Sequence, residues 1–208
     1  MSDNHPPRWL EWAREIQALG QTGLAYSDND YDIQRYRRLQ EIAAEIVQSH
    51  TGIAKEPLTE NFSAQPGYAT VKTDVRAAVV RDGKILLVQE RSDGRWAMPG
   101  GWADVGERPS TMVVREVHEE SGFSVIPRKL IGVYDANRQD PMAFYHAYKL
   151  VFLCELTGGE ARPSDETAAV DFFDFDALPP LSWFRTNNKH LAEVRAHLAD
   201  GARVAAFD

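Results

Sequence analysis

Residues 99–123 of the 208-residue chain, PGGWADVGERPSTMVVREVHEESGF, restrict its possible folds more than any other stretch. Pro109 suits the first position of a helix and Gly122 the residue after its end, so a helix is predicted between them. A helix advances about 100° per residue, which gathers Glu116, Glu119 and Glu120 on one face and turns Val113, Val114 and Val117 away from it. Two carboxylates about 6 Å apart repel by roughly 2–3 kcal/mol at an effective dielectric near 20, more than one i,i+4 ion pair returns. Arg115, one turn before Glu119, neutralises one charge. The rest suit a hard divalent cation held by oxygen ligands, Mg2+ or Mn2+. Most Glu-rich helices are merely solvated. This one buries a valine face and follows Pro99-Gly100-Gly101, a turn whose bare backbone lets carbonyls approach a ligand closely.

The stretch follows the pattern G-x5-E-x7-R-E-U-x-E-E-x-G-U, where U is bulky and apolar, through Gly101, Glu107, Arg115, Glu116, Val117, Glu119, Glu120, Gly122 and Phe123. It resembles a complete Nudix box, with fixed spacing at every specified position. The resemblance implies a Nudix hydrolase with an α/β/α sandwich and a mixed sheet, cleaving a nucleoside diphosphate linked to another group X with the help of divalent metal. It also implies that Glu116, Glu119 and Glu120 hold the metal together with the carbonyl of Gly100, and that Arg115 orients the carboxylates by pairing with Glu107. The chemistry agrees, because a charged pyrophosphate accepts attack by water only when cations neutralise it and lower the pKa of the water. The general base is either a box residue, Glu120 or Glu119, or Glu166 in the loop-like run of residues 162–167. Glu166 reads equally as a solvent-facing loop acid.

Residues 1–55 read differently. Trp9, Trp12, Ala13, Ile16 and Leu19 recur at helical spacing and stop at Gly20; Tyr36, Leu39, Ile42, Ala43, Ile46 and Val47 do so before Gly52. Two amphipathic helices are predicted, with residues 56–70 as a linker and residues 71–208 as the hydrolase domain. The helical arm is too short to be robust alone. Its words WLEWAREIQALGQTGLAYS resemble the N-terminal extension of a Nudix subgroup acting on X-linked nucleoside diphosphates, which implies a homodimer anchored near Trp9 and Trp12. Packing of the same stripes within one chain is the alternative.

From residue 71 the periodicity becomes strand-like. Apolar runs at residues 75–80 and 85–89 flank Asp82-Gly83, a hairpin signal. Residues 96–98, 124–134, 145–156 and 170–175 read as further strands and 187–198 as a closing helix, an order that suits a mixed sheet between helices. No apolar run approaches the roughly 20 residues that span a membrane, and the first residues lack a secretory core, so a soluble cytoplasmic protein is expected. Cys154, the only cysteine, lies in an apolar run and reads as a buried inert thiol. A formal net charge of −8 argues against nucleic acid as a partner.

Around a nucleotide substrate the candidates are Arg91, Arg95, Trp102, Tyr134 and Arg138, since guanidinium forks suit phosphates and aromatic rings suit bases. The subgroup resemblance favours ADP-ribose, cleaved to AMP and ribose 5-phosphate, and then CDP-choline. Pro141 lies near where ADP-ribose pyrophosphatases carry a proline, a few residues further from Phe123 than that pattern has it. A non-catalytic nucleotide sensor and an RNA-end pyrophosphohydrolase are the rival readings.

Overall fold

The computed structural model describes residues 7–136 and 145–208. Arg138 and Pro141 lie outside the described residues. The chain divides into two compact units between Val71 and Lys72, with Tyr145 and His146 grouped with the first.

The first unit is helical: α1 (Arg8–Tyr26), α2 (Asp30–Thr51) and α3 (Lys55–Ser63). Gly20 does not end α1 as its composition suggested. The helix runs on for six residues because Gly20 and Gly23 are contact points with α2. A Cβ at Gly20 would lie 2.9 Å from the carbonyl oxygen of Tyr36, and one at Gly23 would lie 2.2 Å from the Tyr36 ring. Asn29 caps α2, its side chain accepting the N–H of Tyr31 at 2.8 Å, and Gly52 ends it at φ 75°. All of α3 but its first residue, Lys55, falls among the residues read as a linker, and it buries Phe62 against Ala43 and Ala44 of α2. Trp9 stacks on His50 with ring centroids 4.5 Å apart, so its ring is engaged within the unit.

The second unit carries the mixed sheet. β1 (Lys72–Arg81) turns through Asp82 and Gly83, both at positive φ, into β2 (Lys84–Glu90), as the hairpin signal required. β3 (Trp96–Ala97) leads to the glycine turn, and α4 (Pro109–Ser121) follows with the bounds its proline and glycine set. Then come β4 (Phe123–Asp135), β5 (Ala147–Gly159), β6 (Thr167–Asp174), α5 (Asn188–Ala199) and a short β7 (Ala206–Phe207). β1 meets β2 beside the hairpin, Val80 opposite Ile85, and runs parallel to β5 from Lys72 opposite Ala147 to Val79 opposite Cys154. β5 pairs antiparallel with β4, and β2 pairs antiparallel with both β3 and β6.

Strand alternation sorts β1 between two cores. Val75, Ala77 and Val79 pack with Met112, Val113 and Val117 of α4, whereas Ala78 packs with Leu191 and Val194 of α5. Cys154 lies buried in the first core, where burial pushes its thiol up to about 12, as an inert side chain should be. The edge of β1 away from β5 is taken by the glycine turn: the N–H of Val75 donates to Gly101 and the N–H of Ala77 to Pro99, each at 2.9 Å. Gly100 makes this docking possible. It sits at φ 144°, and a Cβ there would fall 2.0 Å from the carbonyl oxygen of Val75.

Gly100→Ala should therefore destabilise the fold by about 3 kcal/mol or more, through clash and backbone strain together. Gly106 also has positive φ but faces open space, so Gly106→Ala should lose only about 1–2 kcal/mol. Urea denaturation midpoints of the two variants test the difference, and equal losses would refute it.

Candidate metal and catalytic site

α4 projects its acids from a helix whose opposite side is locked into the core. Arg115 is the hub. It donates to Glu107 from Nη2 at 2.9 Å and from Nε at 3.2 Å, to Asp104 from Nη2 at 2.8 Å and to Glu119 from Nη1 at 2.8 Å, with Glu116 Oε1 3.1 Å from Nη1. The expected Arg115–Glu107 pair is thus present, and Asp104 joins it. The hydrogen bond from Arg115 holds the Glu107 carboxyl below its ordinary range.

Glu120 lies on the inner edge of the acidic face. Its Oε2 accepts the N–H of Gly100 at 2.8 Å. Desolvation pushes its carboxyl up to about 8, against the pull of Arg76 and of that N–H. Half-buried Glu116 is also raised, by desolvation first and then by Glu119 and Glu166, with Arg115 opposing. Glu116 also lies close to the main chain of Gly101, where a Cβ would come a tight 3.1 Å from its Oε2. Among the described residues no three acidic, imidazole or thiol side chains are placed to hold one metal ion, the acids around Arg115 being turned to its guanidinium. Glu119 turns toward Arg115 and Glu120 toward Gly100. The donor set nevertheless fits a hard cation: two desolvated carboxylates with raised pKa values beside main chain freed of side chains.

Beneath the glycine turn runs a chain of buried charges that periodicity did not reveal. Arg76 on β1 donates to Asp74 from Nη2 at 2.9 Å and from Nε at 3.2 Å, and from Nη1 to the carbonyl of Met98 at 3.2 Å. Glu90 Oε1 stands 4.0 Å from Arg76 and 3.3 Å from Arg185 Nε. Lys149 Nζ, 3.7 Å from Asp74, donates to the carbonyls of Phe184 and Arg185. Burial pushes its ammonium down to about 8, with Asp74 opposing. Thr186 Oγ1 accepts the N–H of Met98 at 2.8 Å. Met98, just before the turn, is thereby fastened to β1 and to the segment before α5, which Lys149 of β5 holds in turn. The available sequence signal was a charge inside an apolar strand, Arg76 after Val75 and Lys149 before Leu150.

The remaining candidates scatter. Glu166 is exposed, in a turn whose main chain is well tied: its N–H donates to Ser164 Oγ at 3.2 Å and its carbonyl accepts the N–H of Arg91 at 3.0 Å. Arg91 also donates its guanidinium to the carbonyl of Ser164, so it braces this turn. Trp102 is 59% exposed immediately after the glycine turn, bridged to Asp74. Arg95 is exposed beside β3, its N–H donating to Asp93 Oδ1 at 2.9 Å. Tyr134 is only 2% exposed and packs in the core under α5 against His190, with ring centroids 4.9 Å apart, away from the exposed candidates.

Comparison with known proteins agrees with this geometry. Residues 71–194 match the Nudix domain, and residues 7–62 match a UDP-X-like, N-terminal oligomerisation domain. The Bacillus subtilis protein YjhB, whose name proposes an ADP-ribose pyrophosphatase, is 38% identical over 202 residues, covering 97% of each chain. A crystal structure of a Streptococcus suis ADP-ribose pyrophosphatase is 39% identical with a TM-score of 0.62, covering 67% of this chain and all of its own. A crystal structure of a UDP-X diphosphatase is 30% identical with a TM-score of 0.63, covering 96% of this chain and 98% of its own. An α/β/α unit, a complete acidic box on its helix and matches along nearly the whole length lead to one conclusion: the chain belongs to the Nudix family and is a hydrolase of the pyrophosphatase kind.

Proposed function

We propose that the chain hydrolyses the pyrophosphate of ADP-ribose, giving AMP and ribose 5-phosphate, with Mg2+ or Mn2+. The observation that carries the metal is the pair of desolvated carboxylates, Glu116 and Glu120, set against the bare backbone of Gly100 and Gly101. With Glu119 and the carbonyl of Gly100 they form the ligand set. The bound ion supplies charge neutralisation on the phosphates and a lowered pKa for the attacking water. Arg115, braced by Glu107 and Asp104, keeps Glu116 and Glu119 aimed along one face. Glu166 is the proposed base, because Glu120 is engaged with the Gly100 N–H and Glu119 with Arg115, whereas Glu166 is exposed and its charge acts on both Glu116 and Glu90. Trp102 and Arg95 are the side chains offered to the nucleotide.

ADP-ribose as substrate rests on the names of the Bacillus and Streptococcus relatives. A UDP-linked substrate is the second reading, favoured by the UDP-X diphosphatase structure, which aligns along the arm as well as the hydrolase unit. CDP-choline stays on the test panel. The arm is proposed to make a homodimer. Trp12, Leu19 and Tyr26, seven residues apart, form an exposed apolar stripe along α1. Among the described residues no helix is long and apolar enough to cross a membrane.

Product analysis with ADP-ribose, a UDP-linked sugar and CDP-choline, each with Mg2+, Mn2+ or EDTA, tests the substrate. Metal-dependent release of AMP from ADP-ribose well above the others is expected, and preference for either competitor would reassign X. Glu120→Gln or Glu119→Gln should lower turnover by roughly 10²–10⁴ fold; native rates would sink the ligand assignment.

The raised carboxyl predicts a pH dependence in EDTA-treated protein. Between the ordinary value of 4.5 and about 8 the folded state holds a proton on Glu120 that the unfolded state has lost. Stability from this group is present below that window and is lost as pH rises through it. Melting temperatures should fall from pH 4.5 to 8, and Glu120→Gln should flatten the fall. An unchanged slope in that variant would assign the dependence elsewhere.

Light scattering tests the arm. Trp12→Glu combined with Leu19→Glu should convert a dimer to a monomer, and a dimer surviving both changes would remove the stripe from the interface.

A further inference from the structure

Thr167, the first residue of β6, is fully buried, and its hydroxyl joins two elements far apart in sequence. Oγ1 donates to the carbonyl of Glu120 at 2.8 Å and accepts the N–H of Ser164 at 2.9 Å. The Glu120 carbonyl belongs to the last turn of α4, where carbonyls have no partner inside the helix. Ser164 Oγ in turn accepts the N–H groups of Glu166 and Thr167, each at 3.2 Å. Arg91 closes the other side of the turn through the carbonyls of Ser164 and Glu166. Thr167 also stands opposite Glu90 in the β2–β6 ladder, where the register shifts. This hydroxyl, with the N–H of Arg162 donating to the carbonyl of Ser121 at 2.9 Å, fastens the loop that displays Glu166 to the helix end that displays Glu120, and it is the side-chain bond of the two.

We propose that Thr167 is a positioning residue for hydrolysis, setting the acid of the 164–167 turn against the acids of α4. The proposal rests on the reading that Glu166 takes part in the reaction. A misplacement of about 1 Å in a catalytic group can lower a rate by about 10² fold while binding is little changed. Valine has the shape of threonine without its hydroxyl, and it leaves both the Glu120 carbonyl and the Ser164 N–H without their partner. Serine keeps that hydroxyl.

The test uses the full chain with ADP-ribose and Mg2+, measuring kcat, KM and melting temperature for Thr167→Val, Thr167→Ser, Glu166→Gln and the Thr167→Val/Glu166→Gln double variant. Thr167→Val should lower kcat by about 10–100 fold with KM within about threefold, and Thr167→Ser should restore kcat to within about threefold of native. On the Glu166→Gln background Thr167→Val should cause no further loss, because both changes disable one device. A native kcat in Thr167→Val, a serine variant no better than valine, or losses that multiply would each overturn the proposal. A native kcat in Glu166→Gln overturns the base reading itself, and is told apart because it appears without any change at Thr167. Should Thr167→Val fail to fold, Ser164→Ala loosens the same turn from a half-buried position. It should lower kcat with KM kept, and an unchanged kcat there overturns the proposal.

Discussion

The hydrogen bond from the Gly100 N–H to Glu120, 2.8 Å long, sets much of the second unit. A buried carboxylate is unfavourable unless charge-assisted bonds meet it, and one main-chain N–H compensates only part of that burden. For the bond to exist the glycine turn must lie flat on β1, which requires φ 144° and no Cβ at residue 100. α4 must also run close enough to bring its last turn under the turn, and the valine face of α4 packed on Val75, Ala77 and Val79 accomplishes this. Glycine, carboxylate and apolar stripe are one constraint seen from three sides.

Once that carboxylate is inside, the charges around it follow. Arg76 is buried and cannot be left alone in a low-dielectric interior, so Asp74 meets it with two bonds, Glu90 stands nearby and Glu120 adds a pull weaker than that of Asp74. Glu90 is then shared with Arg185, and Lys149 answers Asp74 while gripping two carbonyls of the segment that carries Arg185. Such a chain contributes little net stability compared with apolar residues of the same volume. It specifies one arrangement of the turn, because removing any member strands a buried partner.

What the sequence disclosed and what it concealed divide along contact distance. The bounds of α4 and the Asp82-Gly83 hairpin depend on neighbours a few residues away, and local pattern carried them; the Arg115–Glu107 pair came from the resemblance to the Nudix box. Gly20 was misread because its meaning lies on another helix: a glycine that stops a helix and one that admits a neighbouring helix look alike in one dimension. The burial of Tyr134 is hidden in the same way, since its strand is half solvated and the ring is covered by tertiary neighbours, His190 of α5 among them. Residues 56–70 looked like a linker for their proline and glycine, yet Pro57 falls in the first turn of α3, where a proline is tolerated.

The acids proposed for catalysis stand on different kinds of support. Glu116, Glu119 and Glu120 share a helix, so their mutual spacing is a property of the helix itself. Glu166 has no such guarantee. Its place relative to them depends on a turn held by side-chain hydroxyls, by Arg91 and by the main-chain bond from Arg162 to Ser121, bonds that each contribute modestly in water-exposed settings and more where the groups are buried. Thr167 is the buried one, which makes it the bond where a small chemical change has the largest geometric consequence. The rigid part of the site is thus written in a continuous stretch of sequence, while its adjustable part depends on a tertiary bond between residues 120 and 167, which local pattern does not signal.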